Sequence, residues 1–418
     1  MQTIIFGGAF DPPHFEHKKI CLGAMRECCA HKLVLVPTYN PPHKGGAVID
    51  FSLRVKMLEA LFSDCDCKVE ISEIEKEVYY GFNNQSENET YDANEGNQDD
   101  INHDIKSNIQ SVSTQIRVKN YSSDTLKILA SRYNDTAFLI GGDSLLALET
   151  WHKPQEVLAV MPILVAGREG FNNLEEKAKE LMQKYGGEIR LLKSVGAEVS
   201  SSLLKAKLYL GLEVPLDSKV KKVISDNHLF QEYRTVVEKL KGRQSPELFF
   251  HSLAVCLRAV DINVRMKLGL DFDEVFLASL LHDNSKEMLN CGDIVGVPLD
   301  AIGTPVLHQF LGAQRAKSDF GIDNPRICEA IRYHTTAKAE MNTLEKLIYS
   351  ADMLSEDRDF DGLNILLKQI YSDFEEGFFA CLEHSYYHVL SKGRKMYPLT
   401  DEAYKFYSKQ YEKTHKIS

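Results

Sequence analysis

Two sets of residues in this 418-residue sequence have the types and spacing to do chemistry. The first lies between Thr3 and His17, where Gly7 and Gly8 are followed by Phe10, Asp11, Pro12, Pro13, His14 and His17. Glycines let backbone N–H groups approach an anion, and a helix that follows offers its positive end and unpaired donors to the same charge. His14 and His17 stand three apart, so both imidazoles share one face of a first helical turn. They can donate hydrogen bonds to a polyphosphate as charge builds on it. The second set centres on His282 and Asp283, at the end of the apolar run Phe276 to Leu281. Such a run would bury both polar side chains unless something coordinates or pairs them. His251 and Asp352, from flanking helices, would complete a shell around a cation, and His308 with His334 would hold a second. Imidazole mixed with carboxylate favours iron, manganese or zinc over calcium. A centre of that kind acidifies water and clamps phosphate oxygens, which suits hydrolysis of phosphoesters or phosphoanhydrides.

The elements that must position these groups can be read from the apolar periodicity. A β-branched strand ends at Gly7 and Gly8, a Pro-Pro turn follows, and a helix begins at His14. Further strands are expected at Lys32 to Pro37, Lys68 to Glu75, Ala137 to Ile140, Ile163 to Ala166 and Arg190 to Leu192, with Arg168 just past the fifth. Strands alternating with helices predict an α/β Rossmann-like domain. On such a sheet ligands gather at the strand C-termini, where Pro41 and Pro42 present His43 and Lys44, and Gly141 precedes Asp143. Asp143 either accepts ribose hydroxyls or caps the next helix. Trp151 is the chain's single tryptophan, a core residue or a stacking platform. Ser200, Ser201 and Ser202 read locally as ordinary helix caps. From about residue 231 the chain turns helical and histidine-bearing. The expected domains are 1–230 and, all-α, 231–418.

Composition limits the partners. With 44% apolar residues there is enough to fill two or three cores, and a net charge of −11 argues against a nucleic-acid binder. A nucleotide site would then be a local basic pocket. No basic-plus-apolar leader opens the sequence and the run Val157 to Ala166 is interrupted by Pro162, so neither signal peptide nor membrane span is expected, and the cytoplasm is the default location. Nine cysteines include no Cys-x-x-Cys pair, which fits reduced thiols. Seven acids and no Lys or Arg fall between Asn83 and Ile105, so 79–119 is expected to be a disordered insertion.

The front string resembles the Gly-x-Phe-Asp-Pro and His-x-Gly-His signature of the nicotinate-nucleotide adenylyltransferases, with Glu16 where that family has glycine. The resemblance extends through Pro41, Pro42, His43 and Lys44; Arg54 and Met57; Ser122, Thr125 and Leu126; Gly141 to Ser144; Trp151 and His152; and Ser201, Ser202 and Lys205, where lysine replaces the family's arginine. It implies adenylyl transfer from ATP with Mg2+ to nicotinate mononucleotide. His14, His17, Lys44 and Lys205 would act on the phosphates. Gly7, Gly8, Phe10, Asp11, His43, Arg54, Ser122, Thr125, Gly141, Asp143, Trp151, Arg168, Ser201 and Ser202 would contact ATP or the pyridine nucleotide. The rear set resembles the HD-domain phosphohydrolases, more closely the symmetrical bis(5'-nucleosyl)-tetraphosphatases. That likeness implies His251, His282, Asp283, His308, His334 and Asp352 as ligands of iron or manganese, Lys286 as a catalytic group, and diadenosine tetraphosphate as a substrate cleaved to ADP. Glu16 would repel a triphosphate unless it points to solvent, as its place between the histidines permits. The alternatives are a front domain that only senses nucleotide, or one with nicotinamide mononucleotide or pantetheine phosphate as acceptor.

Overall fold

Six apolar runs become the strands of one parallel sheet: β1 (Thr3–Gly8), β2 (Lys32–Pro37), β3 (Lys68–Ile71), β4 (Thr136–Gly141), β5 (Ile163–Arg168) and β6 (Ile189–Gly196). The computed structural model describes residues 3–39, 49–79, 122–168, 173–196, 199–287 and 296–415. His43, Lys44 and all but the first residue of the expected insertion lie outside the described residues, as does the Arg168 side chain.

Strand order is β3-β2-β1-β4-β5-β6. Ile4, Ile5, Leu33, Val34, Leu35, Leu139, Leu164 and Val165 have no exposed surface, as a parallel sheet covered on both faces requires. The chain works outward from β1 to β3 and then crosses back to β4 on the other side of β1. That reversal opens a crevice at the C-terminal ends of β1 and β4, where doubly wound sheets bind ligands. Helices α1 (Phe15–Glu27), α2 (Phe51–Phe62), α3 (Ser122–Arg132), α4 (Gly142–Leu146), α5 (Pro154–Val160) and α6 (Leu174–Tyr185) link the strands.

The strand expected at Lys68 to Glu75 stops at Ile71. Ser72 gives its amide to the Leu35 carbonyl and then accepts the Ile74 amide on its hydroxyl, so it closes the ladder and opens a helical turn at 74–79. Ser72 and Glu75 have the Ser-x-x-Glu spacing that starts helices. Apolar alternation alone extends the strand through this stretch.

One compact unit draws on Met1–Pro42, Ile49–Glu198 and Leu216–Asp226, and the other on Val199–Pro215 and Asn227–Ser418. The last crossing lies beside the boundary expected near Phe230, but α7 (Ser201–Tyr209) is counted with the second unit while α8 (Ser218–Asp226) belongs to the first. Among the described residues the second unit's regular elements are all helices: α7, α9 (Arg234–Lys241), α10 (Pro246–Arg265), α11 (Phe272–Leu281), α12 (Leu307–Phe320), α13 (Pro325–Tyr333), α14 (Thr343–Met353), α15 (Leu363–Ser372), α16 (Phe374–Ser391) and α17 (Pro398–His415). Among the described residues no helix is long and apolar enough to cross a membrane.

At the α15–α16 crossing, a Cβ on Gly377 would lie 2.3 Å from the Ile370 Cα and 2.6 Å from its nitrogen. Backbone cannot yield as a side-chain tip can. Gly377→Ala is expected to cost about 1–3 kcal/mol, read as a lower Tm of the helical unit.

Candidate active sites

In the first unit a cavity of about 260 Å³ sits in the β1–β4 crevice, with Gly7, Gly8, His14 and His17 on one wall and Gly141, Asp143 and Trp151 on another. His14 is the N-cap of α1, and the rings of His14 and His17 stack with centroids 3.7 Å apart. The His17 Nδ1 accepts the His14 backbone N–H at 3.2 Å. That bond assigns the proton of a neutral ring to Nε2, which makes it a donor.

Asp143 is the second residue of α4, and the N-cap is Gly141, so the capping alternative is excluded by position. Its carboxylate folds back over Gly141, where a Cβ would lie 2.4 Å from Oδ1. Trp151 packs edge-on to Phe138, with centroids 6.4 Å apart, and lines the cavity as well. The turn before it is anchored by Glu149, which accepts from Lys177 at 2.5 Å and Lys184 at 2.7 Å. These two bonds hold the Glu149 carboxyl down at about 2.

Ser122 and Thr125 line the opposite side, and the Thr125 hydroxyl donates to the Glu75 carboxylate at 2.6 Å. Glu75 also lines the cavity and was missed by sequence reasoning, although its place in the Ser-x-x-Glu turn was a usable signal.

Three expectations change here. Glu16 does not point to solvent: it is 3% exposed and lines the cavity beside the histidines, with the Lys19 ammonium 3.5 Å from its Oε1. The first turn of α1 packs against the sheet, which turns the residue between the histidines inward. The local basic pocket is not found among the described residues, since the charged groups lining the cavity are Glu16, Glu75 and Asp143 alongside two imidazoles. Arg54, finally, is fully buried and spends its guanidinium on backbone carbonyls, at 2.7 Å to Ala9, 2.8 Å to Thr38, 2.8 Å to Ile49 and 3.4 Å to Tyr39. Burial lowers its pKa, against the pull of Asp11 and Asp50. It clasps the loops after β1 and β2 instead of facing a ligand. Arg54→Met should leave those carbonyls unpaired and cost at least about 2 kcal/mol, measured by denaturant unfolding.

Phe10 and Asp11 are buried too and do not line the cavity. The Phe10 ring covers Gly8, where a Cβ would meet it at 3.2 Å, and packs edge-on to His17 with centroids 5.2 Å apart. Ser201, Ser202 and Lys205 belong to the second unit. Ser200 caps α7 by accepting the Leu203 amide at 3.4 Å, and Ser201 and Ser202 open the helix. Lys205 is buried, its ammonium 4.8 Å from the Phe272 ring centroid and 5.8 Å from that of Tyr209.

The second unit brings all six expected metal ligands together. His251 lies on α10 and Asp352 on α14, His282 and Asp283 follow the last turn of α11, His308 is in the first turn of α12, and His334 caps the end of α13. The turn after α11 is tied down: Gln244 donates to the Asp283 carbonyl at 3.2 Å, and Glu287 accepts the Ser245 amide at 2.7 Å. Gln309 accepts the amides of Thr335 and Thr336, each at 3.1 Å, joining α12 to the His334 turn.

His282, His308 and His334 each place Nδ1 2.7 Å from a backbone carbonyl three residues earlier, on Ser279, Pro305 and Ile331. Their Nδ1 atoms are therefore donors, and in the neutral rings Nε2 carries a bare lone pair. Those bare nitrogens face one another: His282 Nε2 is 3.3 Å from His251 Nε2, and His308 Nε2 is 3.2 Å from His334 Nε2. Between the pairs stands Asp283. Its Oδ2 is 3.3 Å from His282 Nε2, while Oδ1 is 3.2 Å from His308 Nε2 and 3.4 Å from His334 Nε2. Yet buried Oδ1 accepts no well-formed hydrogen bond among the described residues. Asp352 Oδ1 completes the first group, 3.0 Å from His251 Nε2.

Lone pairs and carboxylates so close need cations between them, either protons or metal ions. The donor set fits two divalent transition-metal ions sharing one carboxylate: His251, His282, Asp352 and Asp283 on one side and, by their mutual distances, His308, His334 and Asp283 on the other, with His282 also in reach of Asp283 and His334. Burial works against ionisation of Asp283 and Asp352, but the surrounding imidazoles, with Arg358 beside Asp352, hold both carboxyls well below the usual range. Burial also opposes charge on His251, and Asp352 overcomes it and raises its pKa. At the rim Lys286 Nζ lies 2.7 Å from Asp283 Oδ2 and Arg358 donates to Asp352 Oδ1 at 2.5 Å.

Two family models match the chain. Residues 5–207 match the model described as Cytidylyltransferase-like, and residues 248–357 match the HD domain. A Mycoplasma genitalium protein called a probable nicotinate-nucleotide adenylyltransferase/Ap4A hydrolase is 26% identical, over 92% of this chain and 97% of its own length. A probable nicotinate-nucleotide adenylyltransferase of Lachnoclostridium phytofermentans is 28% identical over 50% of this chain and 88% of its own. A symmetrical bis(5'-nucleosyl)-tetraphosphatase of Halalkalibacterium halodurans is 28% identical over 40% of this chain and 92% of its own. The chain thus joins a cytidylyltransferase-like domain, akin to the nicotinate-nucleotide adenylyltransferases, to an HD phosphohydrolase domain, in the same order as the Mycoplasma genitalium protein.

Proposed function

We propose that the chain is a bifunctional enzyme of pyridine and purine nucleotides, acting in the cytoplasm. Its front domain transfers AMP from ATP to nicotinate mononucleotide. An oxygen of the mononucleotide phosphate attacks the α-phosphorus, the bond from the α-phosphorus to the bridging oxygen breaks, and pyrophosphate leaves; Mg2+, when bound, would supply charge that neutralises it. No enzyme nucleophile is required, so positioning and charge stabilisation carry the rate. His14 and His17 meet the developing phosphate charge, Asp143 accepts ribose hydroxyls, and Trp151 with Ser122 and Thr125 receives the pyridine ring. The observation that supports this reading is the cavity at the β1–β4 crevice with the His17 Nε2 as a donor.

The rear domain hydrolyses dinucleoside polyphosphates, and water cleaves diadenosine tetraphosphate at its central anhydride to give two ADP. Divalent ions, which we take to be iron or manganese, supply charge that polarises the phosphoryl group and acidifies water. Lys286 and Arg358, at the rim of the cluster, meet the anionic oxygens of the chain. Four imidazoles and two carboxylates gathered around Asp283 support this half.

Glu16 favours a second reading of the front domain, as a sensor that binds ATP without turning it over, because a buried carboxylate faces the phosphate site. One experiment separates the readings: pyrophosphate release from ATP with nicotinate or nicotinamide mononucleotide, alongside calorimetry of ATP binding. Release with the acid is the expected result. Binding without release favours the sensor, and release with the amide alone changes the acceptor.

A further inference from the structure

The four histidines of the rear cluster are not held alike, and the difference follows from where each sits on its helix. The last carbonyls of a helix have no intrahelical partner. His282 and His334, at the ends of α11 and α13, can therefore rest Nδ1 on the carbonyls of Ser279 and Ile331, and His308 uses Pro305, which precedes α12. His251 lies inside α10, where the carbonyls behind it are taken up by the helix. Its Nδ1 turns instead to a carboxylate, Asp357 Oδ2, at 2.8 Å. Asp357 touches no other ring of the cluster among the described contacts, whereas its neighbour Arg358 is engaged with Asp352. The second group has nothing equivalent behind it. There all ring supports are neutral, and the Thr335 hydroxyl lies 3.0 Å from both the His308 and His334 Nε2 atoms.

A carboxylate behind a ligating imidazole fixes its tautomer and ring plane and makes the distal nitrogen a better donor, and loss of such a partner typically weakens metal binding about 10- to 100-fold. We propose that Asp357 is a positioning residue that acts through His251 and makes the His251–His282–Asp352 group the tighter of two unequal metal sites. The His308–His334 group is then the weaker and more exchangeable one. This rests on the reading of the cluster as a two-metal centre.

The test is a titration of the metal-free full-length chain with Co2+, followed by its absorption bands, and with Mn2+ followed by electron paramagnetic resonance. The parent should fill in two steps. In Asp357→Ala the first step should weaken about 10- to 100-fold while the second stays where it was. Asp357→Asn keeps an oxygen that can accept the Nδ1 proton but lacks the charge, so it should recover part of the first step. Far-ultraviolet circular dichroism and the thermal transition of the helical unit report whether each variant is folded. Equal weakening of both steps, or unchanged binding in Asp357→Ala, overturns the assignment. A parent that binds neither ion overturns the two-metal reading itself.

Discussion

Asp283→Asn should empty the rear centre. The residue has no exposed surface and reaches both histidine pairs, through Oδ2 on one side and Oδ1 on the other. An amide keeps the volume but offers one oxygen, no charge, and an NH2 group that would face bare imidazole nitrogens. Losing a partner behind a ligand costs up to about 100-fold in metal affinity or activity, so loss of the shared ligand should cost more than about 100-fold. Elemental analysis after dialysis should find the variant depleted of metal, and ADP release from diadenosine tetraphosphate should fall in parallel. The same preparation should still release pyrophosphate from ATP at near the parent rate, because the transferase cavity is built wholly in the other unit. Retained metal together with retained hydrolysis would refute the bridging role.

The second large effect is expected at His17. Its Nδ1 is committed to the His14 amide, which leaves Nε2 as the donor of a ring that lines the cavity, so the residue has a structural end and a chemical end. His17→Ala removes both. Turnover of adenylyl transfer should drop about 10²- to 10³-fold, the usual cost of one preorganised donor at a developing oxyanion. A donor that matters most in the transition state lowers kcat more than it raises KM. His17→Gln separates the two ends. Glutamine at the third position of a helix can reach back to the cap amide, so thermal stability should return while a deficit in kcat remains. Full recovery of turnover in His17→Gln would show that His17 serves only as a cap.

β1, β2, β4 and β5 were legible because each is a short apolar run closed by glycine, proline or a charged residue, and burial on both faces of a parallel sheet leaves that mark. The His282–Asp283 pair was legible because polar side chains at the end of an apolar helix need a reason to be there, whereas His251, His308, His334 and Asp352 were reached through the family resemblance. Arg54 was not readable in the same way. Its acceptors are carbonyls of residues 9, 38, 39 and 49, and nothing local distinguishes an arginine that clasps loops from one that binds phosphate. Glu16 failed for a related reason, since helix periodicity alone does not say which flank of α1 meets the cavity. Asp357 gave no signal at all until the end of α14 brought it beside the middle of α10.

The hydroxyl-to-carboxylate bond between Thr125 and Glu75, and the ion pair of Arg132 with Glu77 at 2.7 Å, join segments separated by the whole of 80–121. These bonds staple the two flanks directly, so the Ser122 and Thr125 side of the cavity is braced by contacts between the helical turn at 74–79 and α3 and not by the chain that joins them in sequence.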